Sequence, residues 1–205
     1  MDLTFRAALA ADECRDLLYS SAPELYDYMF ARGKITAQDY IAHEFRSGAG
    51  FIGHTIHTAA IADGEIVGVG AFYTRDQYPA LQLGSAYEIL RFYGFLRMSS
   101  VLRQASHAGS VIRRPRPGSV YIANLGVRAD MRGHGVGSAL IEHETAKAKA
   151  AGFEKMALDV ADNNPRAQAL YRRLGFTFVK EKRFEGREDS GVPNAKFMEL
   201  SIGAP

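Results

Sequence analysis

Arg132-Gly133-His134-Gly135-Val136-Gly137 follows an apolar, strand-like run from Val120 to Val127 and opens an amphipathic, helix-like run. That order of elements builds a cradle for an anion. Glycines let the backbone approach a ligand closely, and the first N–H groups of a helix have no intrahelical partner. The macrodipole adds about half a positive charge at the same place. Arg132 supplies a bidentate donor to the same anion. Taken alone, the run is equally compatible with a solvated basic turn, so its surroundings decide the reading.

Two familiar glycine motifs do not fit. A P-loop needs Gly-Lys-Ser/Thr, whereas Gly137 is followed by Ser138 and Ala139. The dinucleotide fingerprint G-x-G-x-x-G is absent too, because Gly133, Gly135 and Gly137 alternate strictly. What remains is R-x-x-G-x-G after a strand, followed downstream by Asn164-Pro165-Arg166-Ala167-Gln168-Ala169-Leu170-Tyr171-Arg172-Arg173-Leu174-Gly175-Phe176. The two blocks together resemble the GNAT superfamily of N-acetyltransferases, whose pattern is V-x-x-x-x-R-x-x-G-x-G/A, a strand, then N-x-x-A-x-x-L-Y-x-x-x-G-F. Val127, Arg132, Gly135 and Gly137 fill the first part, and Asn164, Ala167, Leu170, Tyr171, Gly175 and Phe176 fill the second. The resemblance is close from Val120 to Phe184 and looser elsewhere.

At 205 residues, with 47% apolar and 23% charged residues, the chain has the composition of a soluble globular protein of one domain, residues 1–205. A formal charge of +2 argues against nucleic acid as a bulk partner and suits an anionic cosubstrate. The single Cys14 excludes an internal disulfide framework. The N-terminal residues lack a basic segment followed by an apolar core, and no apolar run approaches the roughly 18 residues of a membrane span. A cytoplasmic protein without a membrane partner is expected.

Along the chain, Leu3 to Ala7 reads as a strand, and a helical region from about Asp12 to Ala31 is divided by Pro23 and closed by Gly33. Thr36 to Phe45 starts like a capped helix. His54 to Ala62 and Ile66 to Tyr73 read as strands joined at Asp63-Gly64, a hairpin signal. Gly68 and Gly70 leave room for something packed on the sheet. After Gly118 come strand Val120 to Val127, helix Gly135 to Ala151, strand Lys155 to Val160, helix Pro165 to Leu174 capped by Asn164, and strands Phe176 to Arg183 and Ala195 to Ile202. The fold class is α/β, and the resemblance implies a GNAT-type mixed central sheet flanked by helices.

Residues 75–116 form a helical insertion where the resembled scaffold has a short loop. Its middle, Leu81 to Gln104, is apolar around most of a helical circumference, and the insertion carries seven arginines against Asp76 and Glu88, a net of +5. Such a helix wants burial on more than one side. Either it folds over its own sheet and walls the acceptor site, or it pairs with a second copy in a homodimer.

The resemblance implies acetyl-CoA as cosubstrate, held by backbone N–H groups of Arg132, Gly133, His134, Gly135, Val136, Gly137 and Ser138. It places the pantetheine arm along Leu125 to Val127, where Gly126 fits a splayed strand end. A backbone N–H near Leu125 serves as the oxyanion donor, Asn164 lies against the cosubstrate, and Tyr171 is the acid that protonates the departing thiolate. Both of the last two have plainer readings: Asn164 as a helix cap, and Tyr171 as one of an i, i+3, i+4, i+7 core stripe with Ala167, Leu170 and Leu174. No acidic residue stands on the strand face of Tyr121, Ala123 and Leu125, where many family members carry a glutamate, and Tyr121 takes the equivalent place. Deprotonating an alkylamine at pH 7 costs about 4 kcal/mol and an α-amino group about 1, so a weak base favours amines of low pKa.

His54 and His57 lie three apart on a strand and so on opposite faces, His143 is a core-edge residue, and His107 and Glu88 are candidate acceptor-site groups. Nothing has metal-ligand spacing. The expected reaction is acetyl transfer to an amine, small molecule or peptide, in a ternary complex. The rival reading is a non-catalytic acyl-CoA-binding or regulatory module.

Overall fold

The computed structural model describes residues 2–203. Strands β1 (Thr4–Ala7), β2 (His57–Ala62), β3 (Glu65–Thr74), β4 (Ser119–Val127), β5 (Lys155–Ala161), β6 (Thr177–Lys182) and β7 (Ala195–Ser201) form one seven-stranded sheet. Their order is β1-β2-β3-β4-β5-β7-β6. Strands β4 and β5 are parallel neighbours, and the other neighbouring pairs are antiparallel. This is the mixed α/β sheet that the alternation of elements predicts. Asp63 and Gly64, at φ 51° and 79°, turn β2 into β3 in the left-handed conformation a two-residue hairpin needs.

Helices α5 (Val136–Ala150) and α6 (Pro165–Arg173) cover one face. There Val120, Ile122, Met156, Leu158 and Val160 of the central strands pack with Ile141, Ala148 and Tyr171. Helices α1 (Arg15–Tyr19), α2 (Pro23–Phe30), α3 (Ala37–Ser47) and α4 (Tyr78–Ala108) belong to the other face. Pro23 starts α2, where its missing N–H costs nothing. Thr36 and Asp39 close a reciprocal capping box on α3. Helix α2 ends at Phe30, and Gly33 serves instead in the tight turn that pairs Arg32 with Ile35.

Two boundaries differ from the sequence reading. His54–Ile56 is a turn of 3₁₀ helix, so β2 begins only at His57. The insertion helix runs from Tyr78 to Ala108 but is broken at Gly94, whose φ of 72° and ψ of 170° are not helical. The break explains the apparent all-round apolarity. Leu81, Ile89 and Tyr93 are buried before it, Val101 and Ala108 after it, and on one continuous helix those stripes would be roughly a third of a turn out of phase. Polar pins fasten α4 to its own chain. Ser85 Oγ donates to Glu44 Oε1 at 2.6 Å, His43 Nε2 lies 2.7 Å from Glu88 Oε2, and Tyr93 donates to the Phe30 carbonyl at 2.6 Å. Glu88 is therefore a buried partner of His43 and Arg91 and not a free acceptor-site group.

Candidate active site

The parallel ladder between β4 and β5 runs only from Ser119↔Lys155 to Ile122↔Leu158. Beyond it the two strands part. Strand β4 continues to Val127 paired with β3 alone, and β5 continues through Asp159 to Ala161 paired with β7 alone. A bulge in β4 causes the divergence: the register jumps from Ala71↔Ala123 to Val69↔Gly126, so Asn124 and Leu125 together oppose one residue. Asn124 takes φ 53°, and its side chain is pinned by Tyr26 Oη donating at 2.7 Å and by its own Nδ2 donating to the Phe51 carbonyl at 2.9 Å. The splay expected at Gly126 thus belongs to Asn124. Gly126 has another task, because a Cβ there would lie 2.0 Å from the Leu17 carbonyl oxygen, so α1 can seat on β4 only against glycine. Gly68 likewise admits the Val136 side chain, and Gly70 faces Leu125.

At the end of the opened strand stands the glycine loop. Gly133 and Gly135 sit at φ 92° and 86°. At Gly135, the residue before α5, a Cβ would have nothing within 4 Å, so the space above the loop is open. Val136, Gly137 and Ser138 form the first turn, whose N–H groups have no carbonyl one turn back. His134 differs, since its N–H donates to the Met131 carbonyl at 3.3 Å and holds the loop instead. Arg132 Nε donates to the Val127 carbonyl at 3.0 Å, tying the loop to the strand end while the side chain stays exposed. A second cation joins it: Arg166, at the start of α6, has a guanidinium nitrogen 3.6 Å from the place of a Gly133 Cβ. The cradle, two arginines and a helix start suit a phosphate-bearing ligand.

Tyr171 lies on α6 in the core beneath the split strands, its ring 5.8 Å from Phe176 in an edge contact. Burial pushes its phenol up to about 12, which keeps it protonated. Ala167, Leu170 and Leu174 pack against the same core, so the ring has a structural role whatever its hydroxyl does. Asn164 caps α6, its Oδ1 accepting from the Ala167 N–H at 3.0 Å.

The opposite face holds a polar cluster. Tyr121 is buried and donates to Asp159 Oδ2 at 2.6 Å; the Arg113 N–H donates to the same oxygen at 2.7 Å, and Lys182 Nζ lies 3.6 Å away. Burial, and then the adjacent Asp159, hold the Tyr121 phenol well above its ordinary value. Burial raises the Asp159 carboxyl as well, with the Tyr121 hydrogen bond and Lys182 opposing it. Burial lowers the Lys182 ammonium, with Asp159 opposing.

The chain matches the model of the acetyltransferase (GNAT) family over residues 12–176. It belongs to that family. Solved structures agree in fold. The ribosomal-protein-S18-alanine N-acetyltransferase of Escherichia coli is 18% identical with a TM-score of 0.53, covering 100% of this chain and 96% of its own. A phosphinothricin acetyltransferase from Sinorhizobium meliloti in complex with AcCoA is 18% identical with a TM-score of 0.57, covering 99% and 90%. An acetyltransferase of Bacillus subtilis in complex with CoA is 16% identical with a TM-score of 0.56, covering 98% and 99%. No curated protein sequence matches. As a GNAT acetyltransferase the chain is an acyltransferase dependent on acetyl-CoA, and the family acts on amine acceptors.

The remaining candidates in this acetyltransferase have structural partners. His57 is buried, its Nδ1 2.8 Å from the Gly53 carbonyl, and burial pushes it down to about 4, so it stays neutral. His54 Nδ1 lies 2.9 Å from the Phe45 carbonyl, His107 meets the Tyr28 hydroxyl, and His143 stacks on Phe5. Among the described residues no group of three or more His, Cys, Asp or Glu is placed to hold a metal, and no helix is long and apolar enough to cross a membrane. Asn124, Arg166 and Asp159 escaped the sequence reading. Asp159 lies one strand away from the position where a carboxylate was sought, and only the parallel register of β4 and β5 puts it beside Tyr121.

Proposed function

We propose that this enzyme transfers the acetyl group of acetyl-CoA to a primary amine by direct attack in a ternary complex, with residues 1–205 acting as one domain. The observation that carries the reading is the coincidence, at one end of β4, of a strand pair that opens after Ile122↔Leu158 and a glycine loop whose helix start is unobstructed.

In this reading the N–H groups of Gly133, Gly135, Val136, Gly137 and Ser138, flanked by Arg132 and Arg166, hold the pyrophosphate. The unpaired edge of β4 from Leu125 to Val127 aligns the pantetheine arm as an added strand, and Asn164 borders it. A backbone N–H at Leu125 stabilises the oxyanion, where a fixed donor is worth about 3 kcal/mol in the transition state. Tyr171, kept protonated by burial, supplies the proton for the departing thiolate. Helices α1, α2 and α4 lie on the face from which the amine approaches.

Self-association belongs to the same proposal. Although α4 buries Leu81, Ile89, Tyr93 and Val101 within its own chain, it leaves Leu83, Tyr87, Leu90, Phe95 and Leu96 exposed, a strip that a second copy would cover across a two-fold axis.

Release of free CoA thiol from acetyl-CoA, measured against a panel of amines and peptides with free N-termini, tests the reaction. Amine-dependent release is expected. Binding of acetyl-CoA without release in any amine would make the site a non-catalytic acyl-CoA module.

A further inference from the structure

Strand β5 carries a carboxylate at the mouth of the opened sheet. The last parallel rung is Ile122↔Leu158, so Asp159 is the first β5 residue past the point of divergence, on the same face as Tyr121. Its side chain is only 4% exposed. Oδ2 is fully engaged by Tyr121 and the Arg113 N–H, whereas Oδ1 is buried and makes no hydrogen bond among the described residues. Buried carboxylate oxygens are nearly always partnered, and an unpartnered one marks a place where a donor is expected.

We propose that Asp159 is the proton acceptor for the attacking amine, and that Tyr121 is the positioning residue that fixes its carboxylate. This rests on the acetyl-transfer reading above and supplies the base that β4 lacks. An ammonium acceptor gives one proton to Asp159; its freed lone pair forms the C–N bond at the thioester carbon as the C–S bond breaks. Tyr171 gives its proton to the departing thiolate and is restored by the second proton of the nitrogen. Asp159 returns its proton to water before the next turnover, so acetylamine, free thiol and one proton leave for each ammonium and thioester consumed.

The groups facing Asp159 are Tyr121 on β4, Lys182 on β6, Arg113 on the segment after α4, and Tyr73 on β3. Burial raises the Asp159 carboxyl, and the Tyr121 hydrogen bond, the Lys182 ammonium and the Arg113 N–H oppose it, leaving a stronger base than a solvated aspartate.

The test is thiol release as a function of pH for Asp159→Asn and Asp159→Glu, with calorimetry of CoA binding. For Asp159→Asn, turnover with alkylamines is expected to fall by about 10²-fold or more, with the acid limb of the kcat/KM profile gone and CoA affinity unchanged. The deficit should shrink with weakly basic amines that are already neutral at the assay pH, and Asp159→Glu should restore the limb. Such dependence on acceptor basicity would not arise from a purely structural aspartate. Wild-type-like turnover, or an equal loss for all amines, would overturn the proposal while the transferase reading stands. Absence of thiol release from the wild type would remove both. If Asp159→Asn does not fold, Tyr121→Phe decides: loss of its hydrogen bond, which holds the Asp159 carboxyl down, should move the acid limb to higher pH, and an unmoved limb would overturn the assignment.

Discussion

The stretch from β4 to α6 and the stretch from α1 to α4 cover opposite faces of one sheet by different physics. In the first, short regular elements alternate, each turn is marked by a glycine or a cap, and every helix covers the strands next to it in sequence. In the second, short helices reach β4 from a hundred residues away, and a 31-residue helix is fastened by scattered polar pins. In the proposed reaction the first would hold the cosubstrate and the second would face the acceptor. The contrast teaches that a phosphate cradle is a local device, whereas an acceptor site is an assembly of distant pieces.

The junction between them is the place to break the comparison hardest. Gly126→Ala would put a methyl 2.0 Å from the Leu17 carbonyl, and because both partners are backbone, no rotamer relieves the clash. Stability should fall by about 3 kcal/mol, the upper end of overpacking costs, measured by denaturant melts. Loss confined to α1, seen as rapid amide exchange there with α5 and α6 still protected, would show that the two faces are separable. An unchanged melting midpoint would mean that α1 docks elsewhere.

Tyr171→Phe probes the local half alone. The ring stays in its core and only the hydroxyl is lost, so CoA affinity should hold while turnover falls by about 10²-fold, on an acceptor whose chemical step limits the rate. Near-normal turnover would reduce Tyr171 to the core aromatic that its packing already makes it.

Gly135→Val acts on the same half with a smaller effect. Nothing crowds its Cβ, but φ of 86° is hostile to a β-branched residue, and the branch would project into the cradle. CoA affinity measured by calorimetry should weaken at least tenfold, about 1.4 kcal/mol. A well-folded variant with wild-type affinity would take the phosphate away from this loop.

These differences follow what was legible in the sequence. The order of strands and helices after Gly118, the Asn164 cap, the hairpin at Asp63-Gly64 and the GNAT family itself could be read from the residues, because periodicity, caps and glycine turns are local signals. Gly94 was not readable as a helix break, since an isolated glycine inside an apolar helical pattern ordinarily costs only about 1 kcal/mol and is tolerated. The bulge at Asn124 was hidden for a related reason: its positive φ is held by Tyr26 and Phe51, which only the tertiary fold brings there. Asp159 was invisible as a partner of Tyr121 until the parallel register placed them on one face. Glu88 and His107 looked available because sequence shows charge but not pairing.

The smallest expected effect on folding, and the one that separates the two accounts of the insertion, lies at the break in α4. Phe95 and Leu96 are 79% and 93% exposed just beyond Gly94, whereas Phe92 packs against Tyr40, His43 and Tyr93. A variant meant to test the exposed strip must leave Phe92 alone, or it will report on the core. Phe95→Ser with Leu96→Ser removes apolar area that touches little of its own chain, so the stability of the monomer should change by less than about 0.5 kcal/mol. Light scattering should find the intact chain as a dimer and the double variant as a monomer. A monomeric intact chain at high protein concentration would sink the dimer and leave α4 as a wall of its own acceptor site; a dimer that survives the double substitution would place the two-fold contact on another surface.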